Sequence, residues 1–402
     1  MPVNYTPASN ILPIDGIRLS TAAAGIRYQN RDDLLVLEIA EGSTVAGVFT
    51  QNRFCAAPVL LCREFLATAT PRYLVVNSGN ANAGTGQQGM DRARQVCENL
   101  AALTSVSPEQ VLPFSTGVIG EQLLVEPFVK VFPKMLEGLD ANGWSQAAAA
   151  IMTTDTLPKA YSKQLKIAGK TVTITGIAKG AGMIEPNMAT MLAYVATDAE
   201  VESALLQSVL KEVADLSFNS ITVDGDTSTN DALALIATGK SGAVIDGSNL
   251  ESFKEALNEV CRYLAQAVIR DAEGATKFVT LVVESAPDLQ TARAIAFTVA
   301  RSPLVKTALF ASDPNWGRLL AAIGRSPVKA LDISKLSLSL GDTSLIQGGE
   351  PVETYTEAQG QQEMDKEEIT IRINLSDGSA STTVWTSDLS HDYVTINAEY
   401  RS

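Results

Sequence analysis

Lys179-Gly-Ala-Gly-Met-Ile-Glu-Pro-Asn-Met-Ala-Thr190-Met-Leu-Ala-Tyr194 runs from a glycine-rich loop into an apolar strand and places one hydroxyl at the junction. Gly180, Gly182, Pro186 and Asn187 punctuate the loop, which predicts neither helix nor regular strand before Met188. From Met191 the run Met-Leu-Ala-Tyr-Val reads as a buried strand. A threonine between a bent loop and a rigid strand is placed to attack the carbonyl that precedes it, and the small Ala189 side chain leaves that carbonyl accessible. Were the peptide bond before Thr190 to break, the residue would carry a free amine beside its hydroxyl, and an adjacent amine is one way to activate a weak nucleophile. Taken by itself, the stretch has a simpler reading: a surface loop entering a core strand.

The same ungapped run resembles the self-cleavage site of the ornithine acetyltransferase family, also called the bifunctional arginine biosynthesis ArgJ family. The resemblance implies an inactive precursor that cuts itself between Ala189 and Thr190. It would yield an α chain, 1–189, holding the oxyanion hole, and a β chain, 190–402, opening on the threonine nucleophile. Glu185 departs from the family pattern, where a small or neutral residue is expected. A carboxylate there can slow the cleavage, although it is not at the reacting atoms.

A chain of 402 residues is long enough for two domains or two large lobes with sizeable cores. Apolar residues make up 46% and aromatics 6%, without an extended low-complexity tract, so a globular chain is expected. Lys and Arg number 31 against 45 acids, a net charge of −14. That balance argues against nucleic acid or an anionic membrane as partner. The start, Met-Pro-Val-Asn-Tyr-Thr, has no basic region leading into an apolar stretch, and no segment reaches the ~18 uncharged apolar residues of a membrane span. A cytoplasmic enzyme is the expectation.

Cys55, Cys62, Cys97 and Cys261 are scattered with no C-x-x-C pair, which predicts buried thiols rather than disulfides or ligands. The single histidine, His391, cannot supply a zinc set, and no G-x-S-x-G elbow accompanies it. Catalysis is therefore expected to use hydroxyl, amine and carboxylate groups.

Mixed α and β structure is predicted throughout. Strands are expected at 33–40, 72–77 and 277–285, and helices at 90–104, 125–139, 144–152, 199–216 and 250–270. In the helix at 90–104, Met90, Ala93, Val96, Cys97, Leu100 and Leu103 fall near one face. Residues 163–177 alternate as a hairpin turning at Ala168-Gly169. Ser248 and Glu251 have capping-box spacing before the 250–270 helix. In the C-terminal third, 336–340, 369–375, 381–385 and 393–397 read as strands, and 341–366 as a long mobile loop.

Two motifs compete for attention. Gly84-Thr-Gly86-Gln-Gln-Gly89 fits a dinucleotide fingerprint, but an eight-residue segment separates it from the preceding strand and no acidic strand end follows at the ribose position. A loop made permissive by glycine is the better reading. Asp224-Gly-Asp-Thr-Ser-Thr-Asn-Asp231 lacks the glycine and glutamate of a calcium loop, having Thr229 and Leu235 there, and reads as a turn with no chemical step of its own.

Ser115-Thr116-Gly117-Val-Ile-Gly120 sets a hydroxyl beside a glycine amide, a pair able to serve one oxyanion; it is equally an ordinary turn. The family resemblance assigns Thr116 and Gly117 to the oxyanion hole and Thr190 to the nucleophile. It implies substrate contacts from Thr153, Lys179, Thr190, Glu273, Asn397 and Ser402, the last a serine where the family often has threonine. The resemblance extends over nearly the whole chain, including Ser312-Asp-Pro-Asn-Trp-Gly-Arg318. It implies a layered α/β fold (mixed α+β), an α2β2 heterotetramer, and acetyl transfer from N-acetylornithine to glutamate with no metal or bound cofactor. It admits acetyl-CoA as a second acetyl donor. An N-terminal-nucleophile amidohydrolase or aminopeptidase passing the acyl group to water, and an uncut binding or scaffold protein, are the rival readings.

Overall fold

The computed structural model describes residues 2–185 and 191–399. Before the central junction the chain forms β1 (Ile17–Ala22), β2 (Leu34–Ile39), β3 (Thr44–Phe49), α1 (Ala57–Leu66), β4 (Tyr73–Asn80) and α2 (Gly86–Thr104). It continues through β5 (Val111–Val118), α3 (Glu126–Glu137), α4 (Trp144–Ala150), β6 (Lys159–Ile167) and β7 (Lys170–Lys179). After the junction come β8 (Leu192–Thr197), α5 (Ser203–Leu216), β9 (Ile221–Thr222), β10 (Ala232–Ala237), α6 (Leu250–Arg270) and β11 (Phe278–Ala286). The last part holds α7 (Leu289–Ala300), α8 (Pro303–Phe310), α9 (Trp316–Gly324), β12 (Ser337–Leu340), β13 (Thr343–Gln347) and β14 (Glu350–Pro351). It ends with α10 (Glu357–Met364), β15 (Glu368–Asn374), β16 (Ala380–Ser387) and α11 (His391–Ala398).

Three sheets result, ordered β1-β2-β4-β5, β3-β10-β8-β7-β6, and β14-β13-β12-β15-β11-β16-β9. The first two are stacked. Their shared core includes the edge-on contact of Phe114 with Tyr194, ring centroids 5.1 Å apart. Strict alternation between two covered faces explains why the central strands β8 and β10 are buried at every position. Leu192, Tyr194 and Ala196 of β8, with Ala232, Ala234 and Ile236 of β10, face the four-stranded sheet. Ala193, Val195, Leu233, Leu235 and Ala237 point the other way, to α5 and α6. Strands buried on both faces are read as continuous apolar runs. Helices α1, α2 and α3 pack on the four-stranded sheet, completing a layered α/β sandwich. The seven-stranded sheet encloses a third core with α7, α8 and α9.

The junction lies between β7 and β8, antiparallel neighbours paired from Lys179↔Leu192 to Ile174↔Thr197. Both stacked cores thus draw on residues from either side of it, whereas the third sheet is built entirely from residues after 190. A boundary at 189/190 divides a polypeptide, not a hydrophobic core.

The hairpin turn falls at Ala168-Gly169, both with positive φ (49° and 80°), as a two-residue turn between twisted strands requires. Three expectations fail. Residues 393–397 lie in α11, not a strand, because Ser390 caps a helix there by accepting from the Tyr393 amide at 3.3 Å. The supposed loop 341–366 holds β13, β14 and α10, the helix opened by a Thr356/Gln359 capping box. The N-cap of α6 is Asn249; Ser248 instead donates its hydroxyl to Asp246 at 2.6 Å.

Candidate active site

The ends of β5 and β7 bring the first site residues together. Thr116 and Gly117 pair with Ser78 and Gly79 of β4 where the ladder becomes irregular. Gly117 has φ 131°, and a side chain there would put its Cβ 2.2 Å from the Gly79 carbonyl carbon. Only glycine allows the two backbones this close approach. Across from it, Lys179 ends β7, its Nζ donating to Thr153 Oγ1 at 2.8 Å and to Thr116 Oγ1 at 3.4 Å.

Below Lys179 runs a chain of charges closed to water. Lys179 Nζ lies 3.8 Å from Asp155 Oδ2, Lys159 Nζ 2.7 Å from Asp155 Oδ1 and 2.6 Å from Asp271 Oδ2. Asp155 also accepts from the Gly180 amide at 2.6 Å and the Thr153 amide at 3.1 Å, fixing both residues on either side of the cavity floor. Asp271 accepts from the Thr156 amide at 3.0 Å and from the Thr156 hydroxyl. Burial pushes the Asp155 carboxyl up, but Lys159, Lys179 and the Gly180 amide outweigh it and hold it well below the usual carboxylate range. Burial lowers the Lys179 ammonium, with Asp155 opposing that shift.

Glu273, in the loop after α6, reaches the cavity from the far segment. Its Oε2 accepts from Asn397 Nδ2 of α11 at 2.6 Å, and its amide donates to Ala181 at 2.9 Å. A Cβ at Gly182 would sit 2.3 Å from Glu273 Oε2, so that glycine clears the space the carboxylate occupies. Thr116, Gly117, Thr153, Lys179, Glu273 and Asn397 together line one cavity of about 260 Å³. Met191, the residue after Thr190, lines it as well. Ala189, Thr190 and Ser402 lie outside the described residues.

Sequence reasoning missed several participants. Asp155, Lys159 and Asp271 carry no motif beyond the polar cluster that follows Thr153. The Asp224–Asp231 run resembles one that the family carries close to its active site and is expected to supply no chemical step, yet it does more than turn. Asn230 Nδ2 donates to the carbonyls of Ala81 and Ser115 at 2.6 and 2.9 Å, tying this loop to β4 and β5. Asp231 lines the cavity 3% exposed, with no hydrogen-bond partner for Oδ2 among the described residues, and burial pushes its carboxyl well above the usual range. Asp224 accepts from the Met183 and Ile184 amides and from the Tyr393 hydroxyl at 3.1 Å. The dinucleotide-like glycines instead open α2, where a Cβ on Gly89 would fall 1.8 Å from Thr85 Oγ1.

Among the described residues no group of three or more His, Cys, Asp or Glu is arranged to hold a metal ion, and no helix is long and apolar enough to cross a membrane. The four cysteines are free thiols, three of them buried. Chemically, the cavity offers a hydroxyl and an amide on a rigid strand end, an ammonium beside them, and a carboxylate opposite.

Residues 18–402 match the model of the ArgJ family. The chain is 53% identical to the arginine biosynthesis bifunctional protein ArgJ of Pseudomonas fluorescens (strain Pf0-1), covering all of both chains. It is 54% identical to the protein of that name from Methylococcus capsulatus, over 98% of this chain and 97% of that one. Among solved structures, it is similar to the ornithine acetyltransferase of Mycobacterium tuberculosis complexed with ornithine, at 33% identity and a TM-score of 0.39, over 44% of this chain and 94% of that chain. With a family match over nearly its whole length and relatives above half identity, the chain belongs to the ArgJ family.

Proposed function

We propose that this acyltransferase moves an acetyl group from N2-acetylornithine to glutamate through an acetylated Thr190, after cutting itself between Ala189 and Thr190. The observation that carries the reading is the convergence, around one cavity beside Met191, of Thr116, Gly117, Thr153 and Lys179 from one side of the junction with Glu273 and Asn397 from the other. Family membership, with relatives named for arginine biosynthesis, supports the substrate class.

In the precursor the Thr190 hydroxyl attacks the Ala189 carbonyl, shifting the acyl group from nitrogen to oxygen and freeing the Thr190 amine; water then hydrolyses that ester, releasing the α chain with a carboxylate end and restoring the Thr190 hydroxyl. In turnover, Thr190 Oγ attacks the acetyl carbonyl of N-acetylornithine while that amine takes the hydroxyl proton. The oxyanion is met by the Thr116 hydroxyl and the Gly117 amide, donors whose value lies in being fixed before charge develops. Collapse returns the proton to the departing ornithine nitrogen and leaves an acetyl ester. The glutamate amine attacks that ester by the reverse path.

Lys179 holds a substrate carboxylate and Glu273, oriented by Asn397, the side-chain ammonium of ornithine. Thr153 and Ser402 complete the contacts. The cycle uses no metal or bound cofactor. The relatives' designation as bifunctional supports a second activity, with acetyl-CoA as the alternative donor. An α2β2 assembly and a cytoplasmic location complete the proposal.

The test is an intact mass under denaturing conditions, followed by transfer of labelled acetyl from N-acetylornithine. Two fragments meeting between Ala189 and Thr190, with label passed to glutamate, are expected. Label appearing only as acetate would make the protein a hydrolase. A single uncut species of 42.6 kDa with no transfer would favour a scaffold.

A further inference from the structure

Glu185, within the run that resembles a cleavage site, is held from two sides. Its carboxylate meets Arg301 in a two-point fork, Oε1 to Nη2 and Oε2 to Nε, and Oε2 also accepts from the Thr222 hydroxyl at 3.2 Å. A guanidinium–carboxylate fork fixes orientation as well as distance. Arg301 is itself anchored: it caps the C-terminus of α7, its amide donating to the Phe297 carbonyl at 3.0 Å and its guanidinium lying 5.0 Å from the Phe297 ring.

The backbone beside Glu185 is gripped as closely. Asp224 accepts from the Met183 amide at 2.7 Å and the Ile184 amide at 2.9 Å. The Ile184 carbonyl accepts from the Val223 amide at 2.7 Å, and the Glu185 carbonyl from the Thr227 hydroxyl at 3.0 Å. Met183 sits at φ 54°, a left-handed conformation that a residue with a bulky side chain keeps only where its surroundings impose it. On the downstream side Met191 is fixed by accepting from the Ala232 amide at 2.9 Å. The segment that carries the scissile bond is thus pinned at both described flanks.

We propose that Glu185 and Arg301 form a positioning pair for self-cleavage, acting with the Asp224 grip to hold the chain before the Ala189–Thr190 bond ready for attack. The proposal rests on the self-cleavage reading above. Its content runs against the expectation that a carboxylate at 185 retards cutting. Both oxygens are already occupied by partners, so the carboxylate is engaged as an anchor. Loosening one flank of an intramolecular attack lowers the fraction of molecules in the reactive arrangement, without touching the nucleophile.

The experiment follows the uncut fraction by intact mass after cell-free synthesis of the full chain, comparing the parent with Glu185→Ala, Arg301→Ala, Arg301→Lys and the double alanine variant. Arg301→Ala removes a side chain 46% exposed, so it tests the pair with little risk to the core. Each single alanine variant should cut about tenfold more slowly, a loss typical of misplaced reacting groups. The double variant should be no slower than either, and Arg301→Lys should lie between. Once cut, every variant should turn over at the parent rate, and the double variant, which leaves no carboxylate stranded, should keep the parent melting temperature, which a general structural defect would not allow. Cutting by Glu185→Ala or Arg301→Ala at the parent rate or faster would overturn the pair while leaving the function standing. Failure of the parent to cut at all would overturn the self-cleavage reading itself, and the pair with it.

Discussion

On one side of the cavity Lys179, Asp155, Lys159 and Asp271 run as alternating charges shut away from water, with side chains no more than 10% exposed. On the other, α11 brings Asn397 to Glu273 without a single buried residue along its length. The first side is expensive to disturb, because a charge left alone in the interior keeps its desolvation cost and loses its compensation. The second is held by contacts such as Tyr393 to Asp224 and Asn397 to Glu273, each of the size that water can replace. One side is held by buried charges, the other by exposed hydrogen bonds.

The contrast breaks most sharply at Lys159. Replacing it with methionine leaves Asp271 without its cation and Asp155 with Lys179 alone, and should cost about 3–5 kcal/mol of stability, read as a lowered denaturant midpoint. If the midpoint barely moved, the buried chain would not be the rigid side. Thr116→Ala should separate chemistry from stability on that same side. The expectation is a fall of about a hundredfold in kcat with the midpoint unchanged, as for loss of one oxyanion donor. A rise in KM alone would instead make Thr116 a binding residue.

Acid and base should act on the two buried carboxyls in opposite senses. Asp155 is held below its ordinary value, so the stability it contributes is present above about 4 and is lost as pH falls through its folded-state value. Asp231 is raised, so the protein loses stability as pH climbs from about 4 through the elevated value. The melting temperature of Asp231→Asn relative to the parent should therefore rise between pH 4 and 8. A flat difference would mean that Asp231 is not the buried acid described here. The smallest effect belongs to α11. Tyr393→Phe removes one hydrogen bond and should raise KM about fivefold or less, the equivalent of about 1 kcal/mol, leaving the denaturant midpoint in place.

Much of the architecture was legible in the residues. The hairpin of β6 and β7 shows in its alternation and its Ala168-Gly169 turn, and α6 in its apolar spacing. The run after Met191 is apolar at every position because both faces of β8 are covered. The C-terminal helix was misread because the alternation at 393–397 outweighed the capping serine at 390, a local hydrogen bond that decides a short segment. Residues 341–366, polar and glycine-rich, looked structureless because their order comes from an edge hairpin and a half-exposed helix with little apolar pattern to read.

What the sequence determined by itself was the chemistry available: a threonine behind a glycine-rich loop, a threonine–glycine pair at a strand end, one lysine and one glutamate. It also indicated mixed α and β structure, since apolar periodicity is a local property, while the layering was implied by the family resemblance. Tertiary structure alone decided which charges neutralise one another. Asp271 reaches Lys159 across 112 positions and Arg301 reaches Glu185 across 116, and no local pattern encodes such pairs. It also made Asp231 a buried acid rather than a solvated turn residue, because burial depends on everything packed around a carboxyl and not on its neighbours along the chain.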